Sequence, residues 1–270
     1  MDTLCNIERA AMSAPELILD LLVACGEALP AQALCQAGEL LGIKASAVRV
    51  ALNRLNQQGK IINHPRGFYR LNPAGPVLAR VVDDWAHKET QTLPWQGGWL
   101  AVHDGGVQRS DKTTWRHNAL ALSLQGFRLL QPGLHVRPDN LQGGASAMRT
   151  HLQALGLAPQ ALVFRLDELD KASHKQAMAL WDVKALAADY RAMQKALVRS
   201  TRTLEKGPLE KAVRESLLLG RVVIIRLVRD PLLPEEMTSS RARLELTADM
   251  KNYQRKAQVL WRRWLALSER

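Results

Sequence analysis

The run Ala45-Ser46-Ala47-Val48-Arg49-Val50-Ala51-Leu52-Asn53-Arg54-Leu55-Asn56-Gln57-Gln58-Gly59 continues into Lys60-Ile61-Ile62-Asn63-His64-Pro65-Arg66-Gly67-Phe68-Tyr69-Arg70-Leu71, and its reading decides the fold of the N-terminal part. Val48, Ala51, Leu52 and Leu55 recur at helical spacing, with Ser46 near the start and Gly59 as a stop, which predicts a helix over 45–58. Lys60 to Asn63 then reads as a strand, His64 to Gly67 as a tight turn and Phe68 to Leu71 as the returning strand. Working backwards, Leu17, Ile18, Leu21 and Leu22 predict a helix over 15–25 with Ser13 as N-cap and Gly26 as its end. A second helix starts near Pro30, turns Ala33, Leu34, Ala37 and Leu40 inward, and stops at Gly42.

Three short helices followed by a hairpin is the outline of a winged helix-turn-helix, and the third helix has the make-up of a reading helix. An α-helix fits the major groove of B-DNA, so such a helix must bury one face and present polar or cationic side chains on the other. With Val48, Leu52 and Leu55 inside, Ser46, Arg49, Val50, Asn53 and Arg54 turn outward. Arginine suits guanine O6 and N7, asparagine suits adenine N6 and N7, and serine suits a phosphate. His64 and Arg66 at the hairpin tip are placed for the adjacent backbone or minor groove. A lone helical arginine is ordinarily a solvated charge. Here, however, no Asp or Glu occurs between Leu40 and Val82, while Lys44, Arg49, Arg54, Lys60, Arg66 and Arg70 fall in one short stretch.

Composition narrows the classes further. The 270 residues carry a formal charge of +11, which favours a polyanionic partner, with double-stranded DNA the expectation; an acidic protein surface is the competing one. Apolar residues make up 47% and charged residues 23%, the balance of a folded soluble chain of two or three domains. The longest apolar stretch, Leu217 to Val228, is broken by Arg221 and Arg226, so no membrane span is expected. With no basic-then-apolar N-terminal segment, a cytoplasmic location is expected. Cys5, Cys25 and Cys35 form no C-x-x-C pair and read as free thiols. The seven histidines lack metal-site spacing, and no G-x-S-x-G, G-x-G-x-x-G or Walker loop occurs, so neither an enzyme nor a cofactor is expected.

Asn72-Pro73-Ala74-Gly75-Pro76 marks a domain boundary. Residues 77–91 read as a connecting helix, with 76–93 as the linker region. Strand, helix, two paired strands, helix and strand follow over 98–103, 112–125, 127–130, 133–136, 145–155 and 161–166, the order of a ferredoxin-like unit occupying 94–172. From 173 to 270 the chain is mostly helical, with a main helix over 176–198 and a last one over 247–267. The fold class expected is therefore α+β: an N-terminal winged helix-turn-helix over 1–75, a central ferredoxin-like domain and a helical C-terminal domain.

The run Ser46 to Leu55, with Gly67-Phe68-Tyr69-Arg70-Leu71, resembles the PaaX family of bacterial repressors of phenylacetic-acid catabolism. Further matches are Trp95-Gln96-Gly97-Gly98-Trp99, Gly133-Leu134-His135-Val136-Arg137-Pro138 and Arg229-Asp230-Pro231-Leu232-Leu233-Pro234. The resemblance implies a Cas2-like central domain, a homodimer, and release from DNA when an aryl-acetyl coenzyme A thioester binds. After Pro234 the sequence departs from the pattern with Glu235-Glu236-Met237-Thr238, which leaves the effector the least secure part. Trp95, Trp99, Arg137, Trp181, Arg221 and Arg226 are the candidates for an effector pocket, aromatics holding an acyl group and arginines meeting coenzyme phosphates. The competing and favoured reading for most of them is core for the tryptophans and solvent for the arginines. The Cas2 likeness also raises a metal-dependent nuclease with Asp104 as ligand, although Asp104 before Gly105-Gly106 reads more simply as a turn residue.

Overall fold

The first helix begins at Ser13, whose backbone N–H and hydroxyl both donate to the Glu16 carboxylate at 3.0 and 2.6 Å. The bond to the Ser13 N–H satisfies a donor that an uncapped helix start would leave open. The computed structural model describes residues 12–64, 67–75, 84–108 and 110–268. Helix α1 (Ala14–Cys25) closes at Gly26, which takes a left-handed φ of 70° and donates to the Leu22 carbonyl. The chain continues through β1 (Leu29–Pro30), α2 (Ala31–Leu40), α3 (Ala45–Gln57), β2 (Ile61–His64) and β3 (Phe68–Leu71). These strands form an antiparallel sheet of order β1-β3-β2, in which Ile61 faces Leu71 and His64 faces Phe68.

A 3-10 helix (Asp84–Gln91) leads to β4 (Trp99–His103), α4 (Lys112–Leu124), β5 (Arg128–Gln131), β6 (Leu134–Pro138), α5 (Gly144–Ala154) and β7 (Leu162–Leu166). The four strands form a second sheet of order β5-β6-β4-β7, every neighbouring pair antiparallel. Strand β4 is buried on both faces. Its alternation sends Leu100 and Val102 into a core with Leu122, Phe127 and Leu152, and Trp99 and Ala101 into a second core with Trp95, Val136 and Trp181. Four helices complete the described residues: α6 (Lys171–Met178), α7 (Val183–Lys206), α8 (Leu209–Val228) and α9 (Arg241–Ser268). The class is α+β, with nine α-helices and two small antiparallel sheets among the described residues.

Contacts divide the chain into two compact units that interleave along the sequence. One draws on Met1–Asp83, Met193–Ile225 and Thr247–Arg270, the other on Asp84–Ala192 and Arg226–Leu246. The helical stretch from 173 thus contributes to both. In the first unit, Leu17, Leu21, Val48, Leu52 and Leu55 share one core with Val213 and Leu217 of α8 and with Ala257, Trp261 and Trp264 of α9. Trp261 and Trp264 meet edge to face at 5.5 Å.

Several expectations shift. The single helix read over 176–198 is two helices, because Trp181 leaves the helical path to stack on Trp99 at 6.2 Å and the Asp182 carboxylate accepts from the Ala185 N–H at 2.8 Å, capping a new helix. The apolar stretch Leu217 to Val228 lies within α8, and the last helix starts six residues earlier than read, at Arg241. Of the connecting helix expected over 77–91, residues 77–83 lie outside the described residues and the rest is the 3-10 helix.

Helices α2 and α3 approach closely where α2 has no side chain. A Cβ on Gly38 would lie 2.7 Å from Val48 Cγ2 and 3.1 Å from the Ile43 carbonyl oxygen. Gly38→Ala is therefore expected to overpack this contact and cost about 1–3 kcal/mol of stability. Adding Val48→Ala should recover part of the loss in denaturant unfolding; a Gly38→Ala chain as stable as the parent contradicts the packing described.

Candidate nucleic-acid interface

Helix α3 is held by one face and free on the other. Val48, Ala51, Leu52 and Leu55 are buried, whereas Ser46, Arg49, Val50, Asn53 and Arg54 are exposed, Val50 at 69%. At about 100° per residue the centre of the outer face carries Ser46, Val50, Asn53 and Gln57, with Arg49 and Arg54 on opposite flanks. Among the described residues the side chains of Ser46, Arg49, Asn53 and Arg54 make no hydrogen bond or ion pair.

His64, the last residue of β2, is exposed, and Arg66 lies outside the described residues. Two exposed positions were not among the candidate contacts, Arg70 having been read only as part of the basic stretch. Gln57 continues the row of Val50 and Asn53 one turn on, and helical spacing alone would have found it. Arg70 is exposed on β3, opposite Ile62, where strand alternation was the available signal. Lys44, just before α3, is also exposed.

Both acids of α1 are paired within the same unit. Arg221 of α8 binds Asp20 and, at 2.5 Å, Glu16, both on α1. Burial pushes the Asp20 carboxyl up while the Arg221 guanidinium pulls it back, and the Ser13 hydrogen bonds hold Glu16 below its usual range. Arg221, expected as an effector contact, is thus committed to an ion-paired seam.

In the other unit the expected tryptophans do come together, as core. Trp95 and Trp99 meet edge to face at 5.3 Å, Trp181 stacks on Trp99, and Trp95 Nε1 donates to the Gly98 carbonyl. Arg137 is neither solvated nor open to a ligand. It is 2% exposed and donates to the carbonyls of Gln125 (2.5 Å), Pro138 (3.2 Å) and Pro231 (3.3 Å) and to Asn140 Oδ1 (3.0 Å). Arg226 lies over the Tyr190 ring and 3.6 Å from Asp230, whose carboxylate accepts the Tyr190 hydroxyl at 2.5 Å. These arginines tie down the Asp230 loop.

Asp104 is 3% exposed; its Oδ2 accepts from Asn118 Nδ2 at 2.9 Å and lies 3.2 Å from His135 Nε2. A carboxylate enclosed this way is occupied by the protein itself. Among the described residues no group of three or more His, Cys, Asp or Glu is placed to hold a metal, and no helix is long and apolar enough to cross a membrane.

Three helices and a strand hairpin, with an exposed outer face on the third helix, lie in the stretch that one of the comparisons matches. The family model described as PaaX-like protein matches residues 15–75, so the family resemblance read from the sequence is borne out over that stretch. No curated protein matches the chain. A solved structure described as an uncharacterized protein from Mycobacterium tuberculosis is similar over 92% of this chain and 99% of its own, at 20% identity and a TM-score of 0.55; at that identity the likeness concerns the fold alone.

The Asp230 loop supplies a test through Lys88. Its Nζ donates to the Val228 and Asp230 carbonyls at 2.6 and 3.0 Å, and burial pulls it down from 10.5 to about 8, against the opposing pull of Asp230. The unfolded chain keeps this proton up to the ordinary lysine value while the folded one releases it near 8, so stability rises with pH between about 8 and 10.5. In urea unfolding across that window, Lys88→Met should abolish the rise; an identical slope in both chains contradicts the assignment.

Proposed function

We propose that this chain is a sequence-specific, DNA-binding transcriptional repressor of an aromatic-acid catabolic operon. The observation that carries the reading is the outer face of α3, exposed, unpaired and set in an acid-free stretch, within the residues that match the PaaX-like family. In this reading residues 1–75 are a winged helix-turn-helix, 76–93 a connector, 94–172 a ferredoxin-like, Cas2-like domain and 173–270 a helical effector and dimerisation domain. The order β5-β6-β4-β7 supports the ferredoxin-like assignment, since a β-α-β-β-α-β unit sets its first and third strands at the centre.

Arg49 donates to guanine O6 and N7, and Asn53 pairs with adenine N6 and N7. Ser46 and Arg54 contact phosphates, Val50 packs on a thymine methyl, and His64 and Arg66 hold the neighbouring backbone. The protein acts in the cytoplasm as a homodimer without enzymatic activity, so its operator is a palindrome with half-sites about 10 base pairs or a multiple apart. An aryl-acyl coenzyme A thioester releases it. A nuclease centred on Asp104 gains no support from a carboxylate already engaged by Asn118 and His135.

Arg49→Ala and Asn53→Ala should each cost about 1–3 kcal/mol of operator affinity and relax base preference at one position, read by footprinting titration. Unchanged preference in both variants overturns the assignment of the reading face. A thermal-shift panel of acyl coenzyme A thioesters, with the free acids as controls, tests the effector: a thioester-specific shift supports it and none removes it.

A further inference from the structure

Helix α7 carries a charged face that the reading above does not use. Its buried row, Met193, Leu197, Ser200 and Leu204, packs toward α9: Ser200 Oγ lies 2.8 Å from the Tyr253 hydroxyl, and Gln194 Nε2 donates to Asp249. At about 100° per residue, Lys195, Arg199, Arg202 and Lys206 fall within about 60° of one another on the side opposite that row. All four are exposed. Their side chains make no hydrogen bond or ion pair among the described residues, and Glu205, which feels Lys206, is taken by Lys256 at 2.5 Å.

Like charges three and four residues apart repel and weaken the helix that bears them. Among the described residues Glu205 acts on Lys206, but that carboxylate is shared with Lys256, so the cost is at most partly relieved. A polyanion would relieve it. The quartet spans roughly 16 Å of helix, a length over which a duplex presents roughly ten phosphate charges. Long, flexible cationic side chains without asparagine, glutamine or serine beside them suit point contacts to phosphate and carry no base code.

We propose that Lys195, Arg199, Arg202 and Lys206 form a second, sequence-independent surface that binds the phosphate backbone of duplex DNA. The choice of partner rests on the DNA-binding reading; the existence of a polyanion-binding face does not. Neutralising contacts releases counterions, so the surface contributes to how steeply affinity falls with salt rather than to which sequence is chosen.

The test uses the full chain and a fluorescent duplex of about 30 base pairs of arbitrary sequence, titrated across roughly 50 to 200 mM KCl. The variant Lys195→Gln/Arg199→Gln/Arg202→Gln/Lys206→Gln should flatten the slope of log affinity against log salt by roughly 3 to 4, and each half of the quartet by roughly half as much. Lys195→Arg/Lys206→Arg, which keeps the charge, should retain the parental slope. Matching melting curves establish that the variants fold; should the quadruple variant fail to, the two half-quartet variants carry the test. A folded variant with the parental slope overturns the proposal and leaves α3 untouched. The same slope with lost binding to phosphatidylserine vesicles also overturns it, reassigning the face to a membrane surface. A flattened slope, alongside unaltered base preference in Asn53→Ala, sustains this surface while removing the reading assigned to α3.

Discussion

Everything at the proposed DNA-reading surface depends on how tightly α3 is seated, and that is set by one contact in which α2 offers no side chain. Val48 enters the space left by Gly38, where a Cβ would approach within 2.7 Å. The contact lies at one end of a core that runs from α3 through α1 to α8 and α9. Because that core fills the side of α3 bearing Val48, Leu52 and Leu55, the helix cannot roll about its axis. Ser46, Arg49, Val50 and Asn53 are thereby fixed outward, their side chains without a partner among the described residues. A reading helix needs this combination: rigid placement of the backbone and freedom at the tips of the side chains.

Electrostatics follow the same division. The acids of α1 are drawn into a seam with Arg221, away from the outer face of α3. Exposed positive charge lies on α3, at Arg70 of β3 and on α7. Arginines in the other unit have a different task. Arg137, Arg226 and Arg243 bind main-chain carbonyls and carboxylates around the loop from Asp230 to Leu233, where Leu232 takes a left-handed φ of 51°. A non-glycine residue persists in that conformation only where its surroundings over-determine it.

Local pattern made the first seventy residues legible. The 3.6-residue spacing of Val48, Leu52 and Leu55 and the turn residues around Gly67 each carry their own periodicity or stop signal, and α1, α3 and β3 match the reading within a residue or two. The four strands of the second sheet were equally readable, although β5 and β6 sit one residue later than expected. What the residues could not reveal was partnership. Trp261 and Leu217 are plainly apolar, yet nothing in their spacing tells that they pack on α1 across more than 190 residues of chain. The same blindness made Arg137 look available: an arginine destined for four buried hydrogen bonds has the same sequence signature as a solvated one. Gln57 went unnoticed for a humbler reason, lying beyond the last apolar residue of the stripe.

The account stands on the outer face of α3 reading bases. Selection from a pool of duplexes with a randomised central segment, using the full chain at moderate salt, tests this most directly. The account predicts enrichment of a two-fold symmetric motif whose halves lie about one helical turn, or a multiple of it, apart. A bound pool with the same base composition as the input at every position would contradict it.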